Sequence, residues 1–377
     1  MSRKMKVGVI FGGRSGEHEV SLVSASAVIQ ALDPEKYEIV PIGITPKGQW
    51  ISSPSAMKML KEKAGMDSEP EKFLLPEPRR QGLVSAAELR EAHDRLDVVI
   101  PMIHGTYGED GTLQGLLELA DIPYVGAGVL GSALGMDKIV QKKVFAEAGL
   151  PIVRYVWFLS SECRERPEKT ARAVERSLRY PVFVKPANTG SSVGISKAHN
   201  RAELVAGLGV AAEYDRKVIC EQGIRNAREI ECAVLGNTDP VASVPGEIVS
   251  SNEFYDYDAK YVDGKSAATI PARLPARTAG TVRRLAVAAF RAIDCAGMAR
   301  VDFFVTRPKG RVYLNEINTI PGFTAISMYP KMWEASGVSF RELVDRLITL
   351  ALERHQEKSR RRTSYTPIRP WYKNGKG

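Results

Sequence analysis

The stretch ARVDFFVTRPKGRVYLNEINTIPG, from Ala299 to Gly322, constrains the chain most: it reads as two strands and a tight turn that set acids face to face. Pro308 and Gly310 mark the turn. Strand alternation puts Arg300 with Asp302 on one face, and Glu316 with Asn318 likewise. A turn centred on Lys309 sets Asp302 opposite Glu316 and Arg300 opposite Asn318, and a bulge would shift this register by one. Opposed Cβ atoms lie about 4.5–5.5 Å apart, so two carboxylates there repel by about 3–4 kcal/mol at an effective dielectric of 20. Phe303, Phe304, Val305 and Leu314 limit screening by water. The remedies are protonation of one acid, neutralisation by Arg300, or a divalent cation between the two. An Arg–Asp–Glu network that only holds the hairpin is the plainer reading. Asn318 adds a third oxygen on the same face and favours the metal, provided that the chain also has a phosphate site.

VFVKPANTGSSVG, Val182 to Gly194, is the candidate for that site. Lys185 falls inside an apolar strand, where a lysine needs an anionic partner unless it snorkels to solvent. The turn after it has two glycines and two hydroxyls, and exposed backbone N–H groups there can wrap phosphate oxygens. The pattern is not GxxxxGK[ST], which excludes a P-loop. Lys138, opening the helix of GMDKIVQKK, reads alone as surface charge. HGTYGEDGTLQG (His104 to Gly115) and FGGRSGEHEVS (Phe11 to Ser21) each follow a strand and lead into a helix, where α/β sheets place ligands. Glu17 either favours a helix dipole or awaits a substrate ammonium.

The chain has 377 residues, 44% hydrophobic and 26% charged, which suits a multidomain globular protein. Alternating strands and helices over 1–126 predict a parallel α/β domain, with a surface insertion between Ser52 and Arg95. Two further units follow, 127–221 and 222–355, the second with an aperiodic loop at 250–274. Residues 356–377 read as a basic, flexible tail. From Arg354 onward eight Lys/Arg stand against one acid, a net of +7, which leaves +2 of the chain's +9 for the body. That balance gives no footprint for nucleic acid. No apolar run reaches the ~20 residues of a membrane span, and the start lacks a leader pattern, so a cytoplasmic location is expected. Cys163, Cys220, Cys232 and Cys295 are scattered and read as reduced and packed.

Taken together, HGTYGEDGTLQG and GMARVDFFVTRPKGRVYLNEINTIPG closely resemble the two signatures of the D-alanine–D-alanine ligase family of the ATP-grasp superfamily. The likeness spans Lys6 to His355. It implies an N-terminal α/β domain followed by a two-part ATP-grasp fold. It also implies a reaction for peptidoglycan precursor synthesis: ATP phosphorylates one D-alanine to an acyl phosphate, and the amine of a second displaces phosphate. By that resemblance Asp302, Glu316 and Asn318 hold two Mg²⁺ ions, with Mn²⁺ as a substitute. Lys138, Lys185, Ser191, Ser192 and Asn315 belong to the nucleotide site. Glu221, Gln222 and Ile224 lie along the adenine, and Glu229 binds the ribose. Glu17 takes the first ammonium, with His104 nearby. Arg300 and the Gly322 N–H stabilise the oxyanion, and Ser327, beside Met328, holds the second carboxylate. The partners implied are D-alanine, ATP and a second copy in a homodimer.

The loop 250–274 is the implied lid, bringing Tyr261 to Ser191 and Glu17 and Lys260 to the terminal phosphate. Its tyrosine favours D-alanine over D-lactate as second substrate. EQGIRNAREIE carries one residue more near Arg225 than is usual in the family, which leaves Glu231 as the fallback ribose acid. The rival readings are another ATP-grasp carboxylate–amine ligase, a D-lactate-type variant, and a non-catalytic nucleotide sensor or nucleic-acid binder. The complete set of metal oxygens and the near-neutral body speak against the sensor and the nucleic-acid binder.

Overall fold

The computed structural model describes residues 3–63, 72–76, 78, 82–85, 95–249 and 267–365. Short β-branched runs form the first sheet: β1 (Met5–Gly12), β2 (Tyr37–Ile44) and β3 (Trp50–Ser52), then, after a small hairpin of β4 (Lys72–Leu74) and β5 (Leu83–Ser85), β6 (Val98–Pro101). Its order is β3-β2-β1-β6. β1 pairs in parallel with β2 and β6, while β3 returns antiparallel along β2. The sheet expected to be parallel thus carries one antiparallel edge. The link through Gly48 is too short for the crossover that a parallel return requires. The carboxyl ends of β1 and β6 deliver the loops that bear Glu17 and His104.

The second sheet comprises β7 (Tyr155–Leu159), β8 (Val182–Pro186), β9 (Ser196–Ala198) and β10 (Lys217–Gln222), antiparallel in the order β7-β10-β8-β9. Val182, Val184, Val218 and Cys220 pack one face against Leu204, Leu208 and Ala211 of the helix Arg201–Tyr214. Alternation turns Phe183, Lys185 and Glu221 to the other face.

The third sheet holds β11 (Ala227–Gly236), β12 (Val241–Ala242), β13 (Gly246–Val249), β14 (Ala267–Thr269), β15 (Gly297–Thr306) and β16 (Val312–Asn318). It is antiparallel, in the order β14-β13-β11-β15-β16 with β12 on β11. On β15 burial alternates: Val301, Phe303 and Val305 enter the core, leaving Arg300, Asp302 and Phe304 on the opposite face. That core is closed by Val282, Ala286, Ala289 and Phe290, a single stripe of the helix Ala276–Ala292.

The last helix, Phe340–Ser359, buries Leu343, Leu347 and Ile348 in a core shared by the first and third sheets. It runs past residue 355, so the segment expected to be a loose tail from 356 begins as helix. Arg354 donates to the Tyr124 carbonyl at 3.0 Å and stacks 4.2 Å over its ring. His355 lies 2.9 Å from Asp121, and Lys358 pairs with Glu118. Acids on the first domain thus hold basic residues that composition alone assigned to solvent. Among the described residues no helix is long and apolar enough to cross a membrane. All four cysteines are buried as free thiols, and burial pushes Cys163 up to about 11 and Cys232 to about 12.

Candidate active site

The three sheets meet at a cavity of about 620 Å³. Its third-sheet wall is the hairpin of β15 and β16. Asp302 faces Glu316 and Arg300 faces Asn318, the register expected from the turn. Between this pair and the turn the strands pair one residue off the count from Lys309, Phe303 with Leu314 and Val305 with Val312, so the turn is not centred on Lys309, and Asn315 is the extra residue that brings Asp302 opposite Glu316. This β-bulge turns two consecutive side chains, Asn315 and Glu316, toward the cavity, which an unbroken strand cannot do.

Arg300 answers the carboxylates. It donates to Asp302 through two bonds of 2.8 Å and lies 3.2 Å from Glu231. Burial works against its charge, but Asp302 and Glu231 outweigh this and raise its pKa well above the usual value. The Asn318 amide donates to Asp302 at 3.0 Å, presenting its nitrogen rather than the expected oxygen to that carboxylate. A half-turn of the amide exchanges the two atoms. Of the three remedies the arginine network is present, and the carboxylates of Asp302 and Glu316 remain on one face.

These residues fit a hard divalent cation. Among the described residues no group of three or more His, Cys, Asp or Glu forms a cage. The donor set is instead two carboxylates and an amide, the kind that binds Mg²⁺ jointly with phosphates and water. Asn315 adds a buried Oδ1 with no hydrogen-bond partner among the described residues.

The opposite wall is cationic. Lys138 opens the helix Lys138–Glu147, capped by Asp137 through the N–H groups of Ile139 and Val140. It is buried, donates to the Thr189 carbonyl at 2.7 Å and lies 3.8 Å from Glu316, so it is not the surface charge that it suggests in isolation. Lys185 sits 2.6 Å from Glu221, whose other oxygen is 2.8 Å from Lys142. Burial opposes the charge on Glu221, yet the two ammonium groups hold its carboxyl down at about 2. The lysines shift in opposite directions. Burial lowers Lys142, whereas for Lys185 the same cost is overcome by Glu221 with Glu316 and Glu229, and its pKa rises.

Between the walls runs the turn after β8. Ser191 and Ser192 adopt positive φ in succession, 45° and 62°, an uncommon backbone for serine that cups N–H groups into a concavity. Ser191 donates to Glu17, joining the turn to the first domain. A Cβ at Gly190 would stand 2.2 Å from Glu17 Oε2, so a larger residue there must displace that carboxylate. His104 sits behind Glu17, with Nδ1 2.9 Å from the Ile320 carbonyl and Nε2 2.9 Å from Ser24. Its burial disfavours the imidazolium, but Glu109 and Glu17 prevail and raise its pKa. At the far end Ser327 accepts from the Thr324 N–H at 3.0 Å, beside Gly322 and Met328.

Gln222, Glu229 and Glu231 line the cavity too. Glu231 pairs in register with Asp302, and Glu229 lies two residues farther along β11, opposite Phe304, so Glu231 belongs with the Arg300 cluster. Arg225, near which the added residue is expected, lies with Asn226 in the turn before β11, where Asn226 has φ 53°. Ile224, expected along the adenine, is outside the lining. Lys260 and Tyr261 lie outside the described residues. Two residues escaped the sequence reading. Lys142 is wholly buried, and Gln141 accepts from the Ile317 N–H at 3.2 Å. The available sign was the i, i+4 spacing of Lys142 from Lys138, which puts both on one helix face.

Comparison with known proteins gives the family. The family profile described as D-ala D-ala ligase N-terminus matches residues 6–127, and that described as D-ala D-ala ligase C-terminus matches 144–349. A D-alanine–D-alanine ligase of Thermoanaerobacter sp. is 52% identical over 362 residues, covering 95% of this chain and 99% of its own. The solved D-alanine–D-alanine ligase of Coxiella burnetii superposes with a TM-score of 0.81 at 39% identity, over 95% of this chain and 97% of that one. The VanG D-Ala:D-Ser ligase of Enterococcus faecalis does so with a TM-score of 0.81 at 38% identity, over 93% and 100%. The fold is thus the multidomain α/β and ATP-grasp arrangement anticipated from the two signatures. With both profiles matched and half the residues shared with a full-length relative, the chain belongs to the D-alanine–D-alanine ligase family.

Proposed function

We propose that this protein joins two D-alanine molecules with ATP, giving D-alanyl-D-alanine, ADP and phosphate. The observation that carries this reading is the convergence on one cavity of a carboxylate hairpin, a lysine wall and the Glu17–Ser191 pair. Glu17 binds the ammonium of the first D-alanine and directs its carboxylate toward the phosphate turn. Lys138, Lys185 and the N–H groups of Ser191 and Ser192 hold and orient the phosphates, since phosphoryl transfer depends on positioning and charge neutralisation. Asp302, Glu316 and Asn318, with Asn315 adjoining, hold Mg²⁺, which neutralises phosphate charge when bound. The γ-phosphoryl group passes to the carboxylate of the first D-alanine. The second, held by Ser327 beside Met328, attacks the acyl carbon through its amine; the C–O bond to phosphate breaks, and the amine gives up a proton. Arg300 and the Gly322 N–H meet the oxyanion that develops there.

Gln222 and Glu221 border the adenine and Glu229 the ribose. Lys260 and Tyr261 complete the site from the lid, which excludes water from the acyl phosphate. The family likeness supports a cytoplasmic homodimer. With ATP and Mg²⁺, phosphate release is expected with D-alanine and not with L-alanine. Equal turnover of the two enantiomers would remove the substrate assignment, and turnover with D-serine but not D-alanine as second substrate would redirect it.

A further inference from the structure

Lys142 has no place in the roles above, yet it is the most deeply buried charged group of the site, with a side chain 1% exposed. It stands one turn after Lys138 on the same helix face and touches two elements at once. Its Nζ is 2.8 Å from Glu221 on β10 and donates at 2.9 Å to the carbonyl of Asn315, the extra residue of the β16 bulge. Glu221 in turn holds Lys185 at 2.6 Å.

We infer that Lys142 is a positioning residue with two separable tasks: it shares Glu221 and so lessens the cancellation of the Lys185 charge that meets the phosphates, and it pins the bulge that aims Asn315 and Glu316 at the metal site. The first follows from counting charges. Glu221 alone would neutralise Lys185, and Glu316 and Glu229 add further negative charge on it, so the second ammonium of Lys142 on Glu221 offsets part of that cancellation beside the phosphate turn. The second follows from the bulge. A bulged residue leaves the ladder locally disrupted, and here the carbonyl of that residue accepts from the buried ammonium instead. The inference rests on the ligase reading, because phosphates and a metal are what the two tasks serve.

The test uses the full chain. Phosphate release by the wild type with D-alanine checks the ligase reading separately. Lys142→Met keeps an unbranched side chain of similar length without charge. Calorimetric titration with ATP and Mg²⁺ should show ATP binding weakened tenfold or more. The free Mg²⁺ needed for half-maximal turnover at saturating ATP should rise at least fivefold, while the KM for D-alanine stays within twofold. A merely structural lysine would lower the unfolding temperature without moving the ATP and Mg²⁺ values; those values within twofold of wild type in folded K142M would overturn the inference. Should K142M not fold, the double variant K142M/E221Q, which strands no buried carboxylate, decides the second task. Its half-saturating Mg²⁺ should remain at least fivefold raised, and a wild-type value would overturn the pinning of the bulge.

Discussion

On β15 and β16 the charged side chains stand on a strand face and answer one another across the hairpin, Asp302 and Glu316 being 14% and 25% exposed. Across the cavity Lys142, Lys185 and Glu221 lie in the interior, at 1%, 9% and 4%. The hairpin acids owe their positions to strand register and one bulge, and a guanidinium on their own strand answers them. The lysine wall is set by burial and by a carboxylate between two ammonium groups. The first arrangement leaves oxygens facing an open cavity, where a cation can join them. The second fixes positive charge that water cannot screen, so it acts strongly on an anion that enters.

The largest expected break in this comparison comes from the acid wall. Glu316→Gln should lower turnover by about a thousandfold or more, as loss of a metal-borne charge interaction would. The substitution relieves repulsion with Asp302 and gives up the Lys138 contact at 3.8 Å, so the unfolding temperature should stay near the wild-type value. Normal turnover would show that the hairpin acids are only structural.

At the junction of the walls, Gly190→Ala places a methyl group against Glu17. Displacing that carboxylate by about 1 Å should cost about a hundredfold in kcat/KM for the first D-alanine. Lys185→Met, on the cationic side, should raise the KM for ATP by about ten- to a hundredfold, since charge-assisted bonds to phosphate are lost. The KM for D-alanine should stay near its original value, and a reversed pattern would exchange the roles of the two walls.

A pH series sharpens the contrast further. The carboxyl of Glu221 is depressed from 4.5 to about 2, so its contribution to stability is present above pH 4.5 and is lost as pH falls toward 2. Urea unfolding between those limits should fall more steeply for wild type than for Glu221→Gln. Parallel curves would mean that the buried carboxylate is not held by its lysines. The smallest effect belongs to the last helix. Lys358→Ala removes a half-exposed pair with Glu118 and should cost about 0.2–1 kcal/mol, read as a small drop in unfolding temperature with kcat unchanged.

The hairpin was legible in the sequence because Pro308 and Gly310 mark the turn, but a count from Lys309 reaches the Asp302–Glu316 pair only because the bulge makes up for strands that pair one residue off that count beside the turn, Val305 with Val312. The bulge at Asn315 was not, since an extra residue in a strand leaves no mark in composition. Lys185 drew notice by interrupting an apolar run, whereas Lys142 did not, because lysine inside a helix is ordinary until tertiary packing covers it. Arg354 and Lys358 misled for the opposite reason. A run of like charge reads as solvated, and the groups that receive it, the Tyr124 and Gly126 carbonyls for Arg354 and the Glu118 carboxylate for Lys358, are far away in sequence.

The most direct measurement of the central claim is Mn²⁺ binding, followed by electron paramagnetic resonance, with a non-hydrolysable ATP analogue and wild-type or Glu316→Gln protein. The account predicts tight, nucleotide-dependent Mn²⁺ binding by wild type and its loss or marked weakening in the variant. Equal Mn²⁺ binding by the two proteins would contradict it.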